Sequence, residues 1–124
     1  MARLVRPLSV LATLTLASVL LASCGSSSAV ADVRHSCVDV KRALVIEQQS
    51  ELPGLSGAQR THLQARALSR LLKATPSAAA ATSLDGSWNP LMTTINEAER
   101  VPMSHLVASL TRLCNVADSS TPYL

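Results

Sequence analysis

The sequence has few aromatic residues and little net charge outside its first residues. Its 124 residues include no Phe, one Trp, one Tyr and three Cys. Two of its Arg lie within residues 1–6, so the rest of the chain holds nine basic and eight acidic residues. A nucleic-acid interface needs basic residues gathered on one face, usually with aromatic rings that stack on bases. We therefore expect no nucleic-acid partner, and the length allows one domain.

The N-terminal segment differs from the rest in composition. Residues 1–6 are basic, and residues 8–22 form an apolar run without any charged residue. This order of a basic start followed by an apolar stretch is typical of a secretory signal. A helix of that length spans roughly 22 Å, which is short of the ~30 Å hydrocarbon core of a bilayer. The sequence thus predicts a leader over residues 1–23 that is removed on export.

The leader ends in Leu21-Ala22-Ser23-Cys24, which resembles the lipobox of bacterial lipoproteins at all four core positions. The resemblance implies transfer of a diacylglyceryl group, with fatty chains such as palmitate, to the Cys24 thiol. It also implies cleavage between Ser23 and Cys24 by the lipoprotein signal peptidase. Two or three acyl chains hold a protein firmly, at ~0.8 kcal/mol per buried methylene. We therefore expect a lipid-anchored protein on the extracytoplasmic face of the cell membrane.

Three segments follow the cleavage point. Residues 24–31 are rich in Ser and small residues, a composition that predicts a flexible tether behind the lipidated Cys24. Residues 32–118 carry apolar residues at helical spacing and form the predicted helical domain. Residues 119–124 are polar and contain a Pro, so they are predicted to be a disordered tail.

The first two predicted helices have recognisable ends. Asp32 or Ser36 caps the first, and Pro53-Gly54 stops it. Ser56 and Gln59 have the spacing of a capping box at the start of the second. The apolar face of the second helix is lined by Leu and Ala, while its Arg and Lys residues lie mostly off that face.

The later helices are separated by prolines. Pro76 ends or kinks the second helix, although residues 78–81 could add a short turn with Thr75 as its cap. A third helix is predicted from Asn89-Pro90, and a fourth from Pro102. No stretch alternates apolar and polar residues over the length of a strand. We therefore expect an all-α fold, a small antiparallel bundle of about four helices closed by one disulfide.

The disulfide prediction comes from counting thiols. If Cys24 carries lipid, Cys37 and Cys114 remain in a compartment where disulfides persist. In an up-down-up-down bundle, the start of the first helix and the end of the fourth lie at the same end, and both thiols fall on apolar faces. The alternative is two buried free thiols. A metal site is not indicated, because no Cys-x-x-Cys pair or nearby His spacing exists.

The sequence contains no recognisable catalytic motif. His35 and Asp39 are four residues apart on a predicted helix, a spacing that suits two ligands but more often marks a solvated pair. His62 and His105 each precede a core leucine. Trp88 is expected to wedge a loop onto the bundle, and an exposed Trp88 would instead be a recognition residue. We expect no enzyme activity, no cofactor and no metal.

The function predicted from these patterns is that of a lipid-anchored envelope module. Such a protein contacts the membrane through the acyl chains on Cys24 and acts through an envelope protein partner or as a structural element. The alternative is a carrier of a lipid or other small apolar molecule, because a core poor in aromatic residues could leave a cavity between the helices.

Overall fold

The computed structural model describes the backbone of residues 17–120 and the side chains of residues 27–120. Five α helices follow one another: α1 (Ala17–Ser50), α2 (Gly57–Leu72), α3 (Thr75–Leu84), α4 (Asn89–Glu97) and α5 (Val107–Ser119). Short 3-10 turns over Gly86–Trp88 and Met103–His105 lead into α4 and α5. No strand occurs within residues 17–120, so the described part of the chain is all-α, as the sequence predicts.

Helix α1 is the central element of the bundle. It packs against α2, α3 and α5, while α4 packs against α3 and α5. Apart from the adjacent pair Ser36 and Cys37, the buried residues of α1 recur every three or four positions, and they are mostly small: Ala29, Val33, Ser36, Cys37, Val40, Ala43, Glu47 and Ser50. Small side chains let three neighbouring helices approach one axis closely. This explains how a chain with so few aromatic residues still forms a continuous core.

Helix α1 begins much earlier than the sequence predicts. Residues 24–31, expected to form a flexible tether, are helical, and Ala29 is fully buried in the core. Ala29 precedes Val33 by four positions, so it continues the apolar stripe of α1 by one turn. Burial of that turn outweighs the weak helix preference of the serines around it. Asp32 and Ser36 are therefore interior helical residues and not N-caps.

The hydroxyl of Ser36 has a different role from the predicted cap. Its Oγ donates a hydrogen bond to the Ala74 carbonyl at 3.1 Å, inside the core. Ala74 lies between α2 and α3, so this bond connects the middle of α1 to the corner where the chain turns. A buried hydroxyl without such a partner would be costly.

The start of α2 follows the predicted signal, whereas the helix already ends at Leu72, four residues before Pro76. The Ser56 side chain accepts from the Gln59 backbone N–H at 3.1 Å, and the Gln59 side chain accepts from the Ser56 N–H at 2.8 Å. The predicted capping box is therefore confirmed. Gly54, at φ +85°, makes the turn between α1 and α2, a conformation that favours glycine.

The described chain contains five helices where about four were predicted, and the additional helix follows α2. The possible short turn over residues 78–81 is part of the ten-residue helix α3, with Pro76 in its first turn. Its N-cap is Ala74 and not Thr75, and that cap makes no side-chain hydrogen bond. Asn89 likewise lies inside α4, whose N-cap is Trp88. Trp88 is 9% exposed and belongs to the core, as expected of a residue that wedges a loop onto the bundle.

Helix α5 includes the start of the predicted tail. Ser119 is its last residue, and Arg34 of α1 donates hydrogen bonds to the carbonyls of Ala117, at 3.2 Å, and of Ser120. A cation at a helix C-terminus satisfies carbonyls that lack intrahelical partners and interacts favourably with the helix dipole. Residues 121–124, the rest of that tail, lie outside the described residues, as does the first part of the leader, residues 1–16.

Candidate functional site: a cationic groove between α1 and α2

An open groove of about 870 Å³ lies between α1 and α2. Its apolar floor is formed by Val45, Ile46 and Ala65, of which Val45 is 55% exposed. Five basic side chains surround this floor: Lys41, Arg42, Arg66, Arg70 and Lys73. His62 and Ser69 complete the lining, and no acidic side chain contributes to it.

The two helices supply these cations for a geometric reason. Arg66 and Arg70 of α2 and its C-cap residue Lys73 are spaced at four and three residues, so they lie on the same side of the helix. Lys41 and Arg42 lie in α1 one turn before Val45. Packing of α2 against α1 brings the two sets to the same groove.

Two of the five cations are neutralised within the chain. Arg70 forms a salt bridge with Asp39, with Nη2 and Oδ1 2.9 Å apart, and both side chains are partly buried. Lys41 pairs with Asp118 of α5, and both of these side chains are about half exposed. An exposed pair of this kind contributes little to stability, about 0.2–1 kcal/mol.

The remaining cations have no such partner. Within residues 27–120, Arg42, Arg66 and Lys73 form no salt bridge. The Nε of Arg70 is buried and donates no hydrogen bond to any group that the structure describes. Three free charges and one unused donor over an apolar floor suit an acidic group attached to an apolar body.

The groove corrects one inference from the sequence. The basic residues beyond residue 6 were not expected to gather on one face, yet five of those nine lie here. The spacing of Arg66, Arg70 and Lys73 was a usable signal for half of the site. The position of Lys41 and Arg42 beside these residues depends on how α1 packs against α2. The spacing of residues within one helix does not specify that packing. No Phe, Tyr or Trp lines the groove. The expectation of no nucleic-acid partner stays a prediction.

The second feature is the disulfide between Cys37 of α1 and Cys114 of α5. Their Cα atoms are 5.6 Å apart, and each residue is 1% exposed. The bond therefore lies in the core, on the predicted apolar faces. On either side of it along α1, Arg34 and Lys41 also bind α5, through the carbonyls near its end and through Asp118.

The residues predicted to be processed lie at the edge of the described structure. The backbone of Ser23 and Cys24 is part of α1, but their side chains lie outside the described residues. Lipidation of Cys24 and cleavage before it therefore stay predictions. No helix within residues 17–120 combines the length and apolar character that a membrane span requires.

The predicted histidine and acidic candidates do not converge. His35 and His105 are exposed, and Asp39 binds Arg70 instead of sharing a ligand with His35. His62 lines the cationic groove. Across the described side chains, no group of three His, Cys, Asp or Glu residues is arranged to hold a metal ion.

A buried carboxyl group was missed by the sequence analysis. Glu47 is only 3% exposed, and its Oε2 accepts no hydrogen bond from the described residues. Burial raises the pKa of Glu47 above its ordinary value, and the neighbouring charge of Glu51 raises it further. Its position three residues after Leu44 and four after Ala43 on the buried stripe was the available signal.

The raised pKa of Glu47 predicts a pH-dependent stability. A carboxyl group whose pKa is higher in the folded than in the unfolded state stabilises the fold at pH values below its unfolded pKa, which is 4.5 for Glu47. This stabilisation is lost as the pH rises through the pKa of the folded state. Replacing Glu47 by Gln should therefore raise the melting temperature at pH 7 by a few degrees, with a gain that vanishes below pH 4. Thermal melts followed by Trp88 fluorescence measure this, with the exposed Glu99→Gln as control. A Glu47→Gln gain that does not change with pH would contradict the assignment.

Comparison with known proteins adds no relative from which to transfer a role. The chain matches no protein-family model, no curated protein and no solved structure. The assignment of a function therefore depends on the residues and geometry described above.

Proposed function

We propose that this chain is an exported bacterial lipoprotein, anchored through acyl chains on Cys24 at the extracytoplasmic face of the cell membrane. The lipobox residues Leu21-Ala22-Ser23-Cys24 support the anchor. The Cys37–Cys114 disulfide supports the compartment, since such bonds persist mainly outside the reducing cytoplasm. If Cys24 is lipidated and Cys37 is bonded to Cys114, the exported chain contains no free thiol.

The continuity of α1 supports a short connection between the anchor and the bundle. Helix α1 includes the backbone of Cys24 and continues to Arg42 in the groove, about 27 Å along the axis at 1.5 Å per residue. The Debye length at physiological salt is about 8 Å. If α1 stands away from the membrane, the charges of lipid headgroups are largely screened at that distance.

We also propose that the helices of the bundle run antiparallel. The order of contacts between α1 and α5 supports this arrangement. Arg34 bonds to Ala117, Cys37 joins Cys114, and Leu44 shares a surface pocket with Val107. Residue numbers thus rise along α1 while they fall along α5.

The molecular role we propose is docking of an acidic, amphipathic segment of an envelope protein in the α1–α2 groove. The single observation that supports it is the arrangement of free Arg42, Arg66 and Lys73 around an apolar floor. An amphipathic helix placed in such a groove buries its apolar face and presents its carboxylates to the basic rim. No catalysis is part of this proposal.

The docking proposal is tested by reversing the free charges of the groove. The full lipoprotein is placed in phosphatidylcholine nanodiscs and titrated with a labelled peptide that has leucines on one helical face and glutamates on the other. The parent protein should bind, with affinity that falls as salt rises. Arg66→Glu combined with Lys73→Glu should weaken binding at least about tenfold, because like charges then face each other.

Two controls make this titration specific. Arg100→Glu combined with Arg112→Glu changes the net charge equally at exposed positions outside the groove and should bind as the parent does. Phosphatidylglycerol added to the discs should not compete with the peptide. Equal loss in both pairs of variants would contradict the groove as the site. Loss of peptide binding on adding the anionic lipid would contradict a protein partner in favour of the membrane surface.

The docking proposal also predicts a partner in cells. A photo-crosslinking residue in place of the exposed groove residue Ser69 should capture one envelope protein through an acidic segment. The same capture should fail in the Arg66→Glu and Lys73→Glu background. Crosslinks to many proteins, unaffected by the charge reversal, would count against a specific partner.

A second candidate function is a carrier of a small apolar molecule. The observation that favours it is a pocket of about 470 Å³ where α2 meets the segment between α4 and α5. Its walls are mainly apolar, formed by Ala65, Leu68, Ala98, Val101 and Met103. Pockets with such walls and a few polar groups commonly bind small ligands.

A further inference from the structure

The pocket beside Met103 has an ionisable group in its wall. Glu47 lines it together with the hydroxyl-bearing Thr61 and the amide-bearing Gln64. The Oε2 of Glu47 is buried and accepts no hydrogen bond from the described residues. An acceptor in this state is unusual, since nearly all buried polar atoms in proteins have a partner. A ligand that donates a hydrogen bond would supply the missing one.

The charged residues that line this pocket and the space next to it are all acidic. A second open space, of about 500 Å³, lies on the α5 side of Glu47 and is lined also by Glu51 and Gln48. No Lys, Arg or His lines either space, so Glu47 and Glu51 are the charged groups that face them. The local field therefore favours a cation over a neutral or anionic molecule.

We infer that the pocket at Glu47 binds a small molecule with an apolar body and a primary ammonium group. The ammonium donates to Oε2 of Glu47, and the hydrocarbon body contacts Leu68, Val101 and Met103. A hydrogen bond between two charged groups is about twice as strong as one between neutral groups. This inference rests on the second proposed function, the carrier, and adds to it the chemical class of the ligand.

The cationic groove is a separate site, and its charge favours anionic ligands instead of cationic ones. It shares only Ala65 with the lining of the Glu47 pocket, and its rim is basic. An alkylammonium ion is repelled there and favoured beside Glu47. The two proposals can therefore be tested independently on the same protein.

The methionines give a direct signal for the test. After removal of residues 1–23 only Met92 and Met103 remain, so the methyl-labelled lipoprotein in phosphatidylcholine nanodiscs gives two methyl NMR signals. Met103 lines the pocket and Met92 of α4 does not, so Met92 is an internal reference. The probes are hexylammonium, hexanol and hexanoate at neutral pH.

Hexylammonium should shift the Met103 signal and leave Met92 unchanged, with an affinity at least about tenfold above that of hexanol and hexanoate. Glu47→Gln should reduce this preference to within about twofold, whereas the exposed Glu99→Gln should retain it. Trp88 fluorescence melts establish that both variants are folded. Equal binding of amine and alcohol, unchanged by Glu47→Gln, would overturn the role of Glu47 but leave the carrier function standing. No Met103 shift with any probe would overturn both.

Discussion

Replacing Cys37 by Ser should lower the free energy of unfolding by about 4.5 kcal/mol. The disulfide closes a loop with a sequence separation of 77 residues, and the chain-entropy model gives this value for a loop of that length. For a domain of this size it corresponds to a fall in melting temperature of roughly 20 °C or more. The whole stability of a small domain is about 5–15 kcal/mol, so the variant should lose a large share of its stability.

The composition of the core is the reason for such a large effect. Among the side chains that are essentially inaccessible to solvent, the four largest are Leu71, Leu91, Ile95 and Leu110. Most other core positions hold Ala or Val. Buried Ala contributes much less apolar area than Leu or Phe, so the hydrophobic contribution per residue is small. A covalent link between α1 and α5 offsets this deficit.

The stability prediction is checked by thermal and denaturant melts followed by the fluorescence of Trp88, the single Trp. Cys114→Ser and the double variant should melt near the same temperature as Cys37→Ser, because each removes the same bond. Reduction of the parent protein should reproduce their behaviour. If the parent has two alkylatable thiols and melts as the variants do, the disulfide is absent from the native protein.

Replacing Cys24 by Ser should abolish the mature lipoprotein completely. The hydroxyl of Ser does not replace the thiol as acceptor of the diacylglyceryl group, and cleavage by the lipoprotein signal peptidase follows lipid transfer. The expected product in cells is the full-length precursor that retains residues 1–23 and carries no lipid. Immunoblotting of membrane fractions, with labelling by a fatty-acid probe, measures both changes.

The matched control for this processing experiment is Cys37→Ser, which makes the same chemical change at a residue with a different role. It should be lipidated and cleaved like the parent, although its fold is weakened. Mature-sized, membrane-bound protein from the Cys24→Ser variant would contradict the lipobox assignment. It would indicate cleavage by the general signal peptidase or attachment by another route.

Local signals in the sequence indicated the starts of α2, α3 and α4, but not those of α1, which begins at Ala17, or α5, which begins at Val107 and not at Pro102. The capping box of Ser56 and Gln59, the turn at Gly54 and the prolines near the starts of α3 and α4 act within a few residues. The disulfide could be predicted because the thiol count leaves only Cys37 and Cys114 to pair once Cys24 is assigned to lipid. The supporting topological argument was wrong in its premises, since α1 begins at Ala17, far before Cys37, and the described chain has five helices instead of four. These features depend on short-range chemistry or on a simple count.

Features that depend on packing could not be read in the same way. Residues 24–31 have the composition of a linker, yet they are helical, with Ala29 buried in the core and Val30 packed against it. Nothing in the sequence around Arg34 indicates that its side chain binds a carbonyl at the end of α5. The same holds for Arg42, which joins the α2 cations only because two particular helix faces meet. Each of these depends on a neighbour distant in sequence.

The intact mass of the protein extracted from bacterial membranes tests the central claim most directly, namely that Cys24 carries the lipid and leaves Cys37 and Cys114 to each other. Our account gives a chain that begins at Cys24, bears a diacylglyceryl group, and weighs two hydrogens less than its fully reduced form. A free thiol on Cys24, a different first residue, or a mass that reduction leaves unchanged would contradict it.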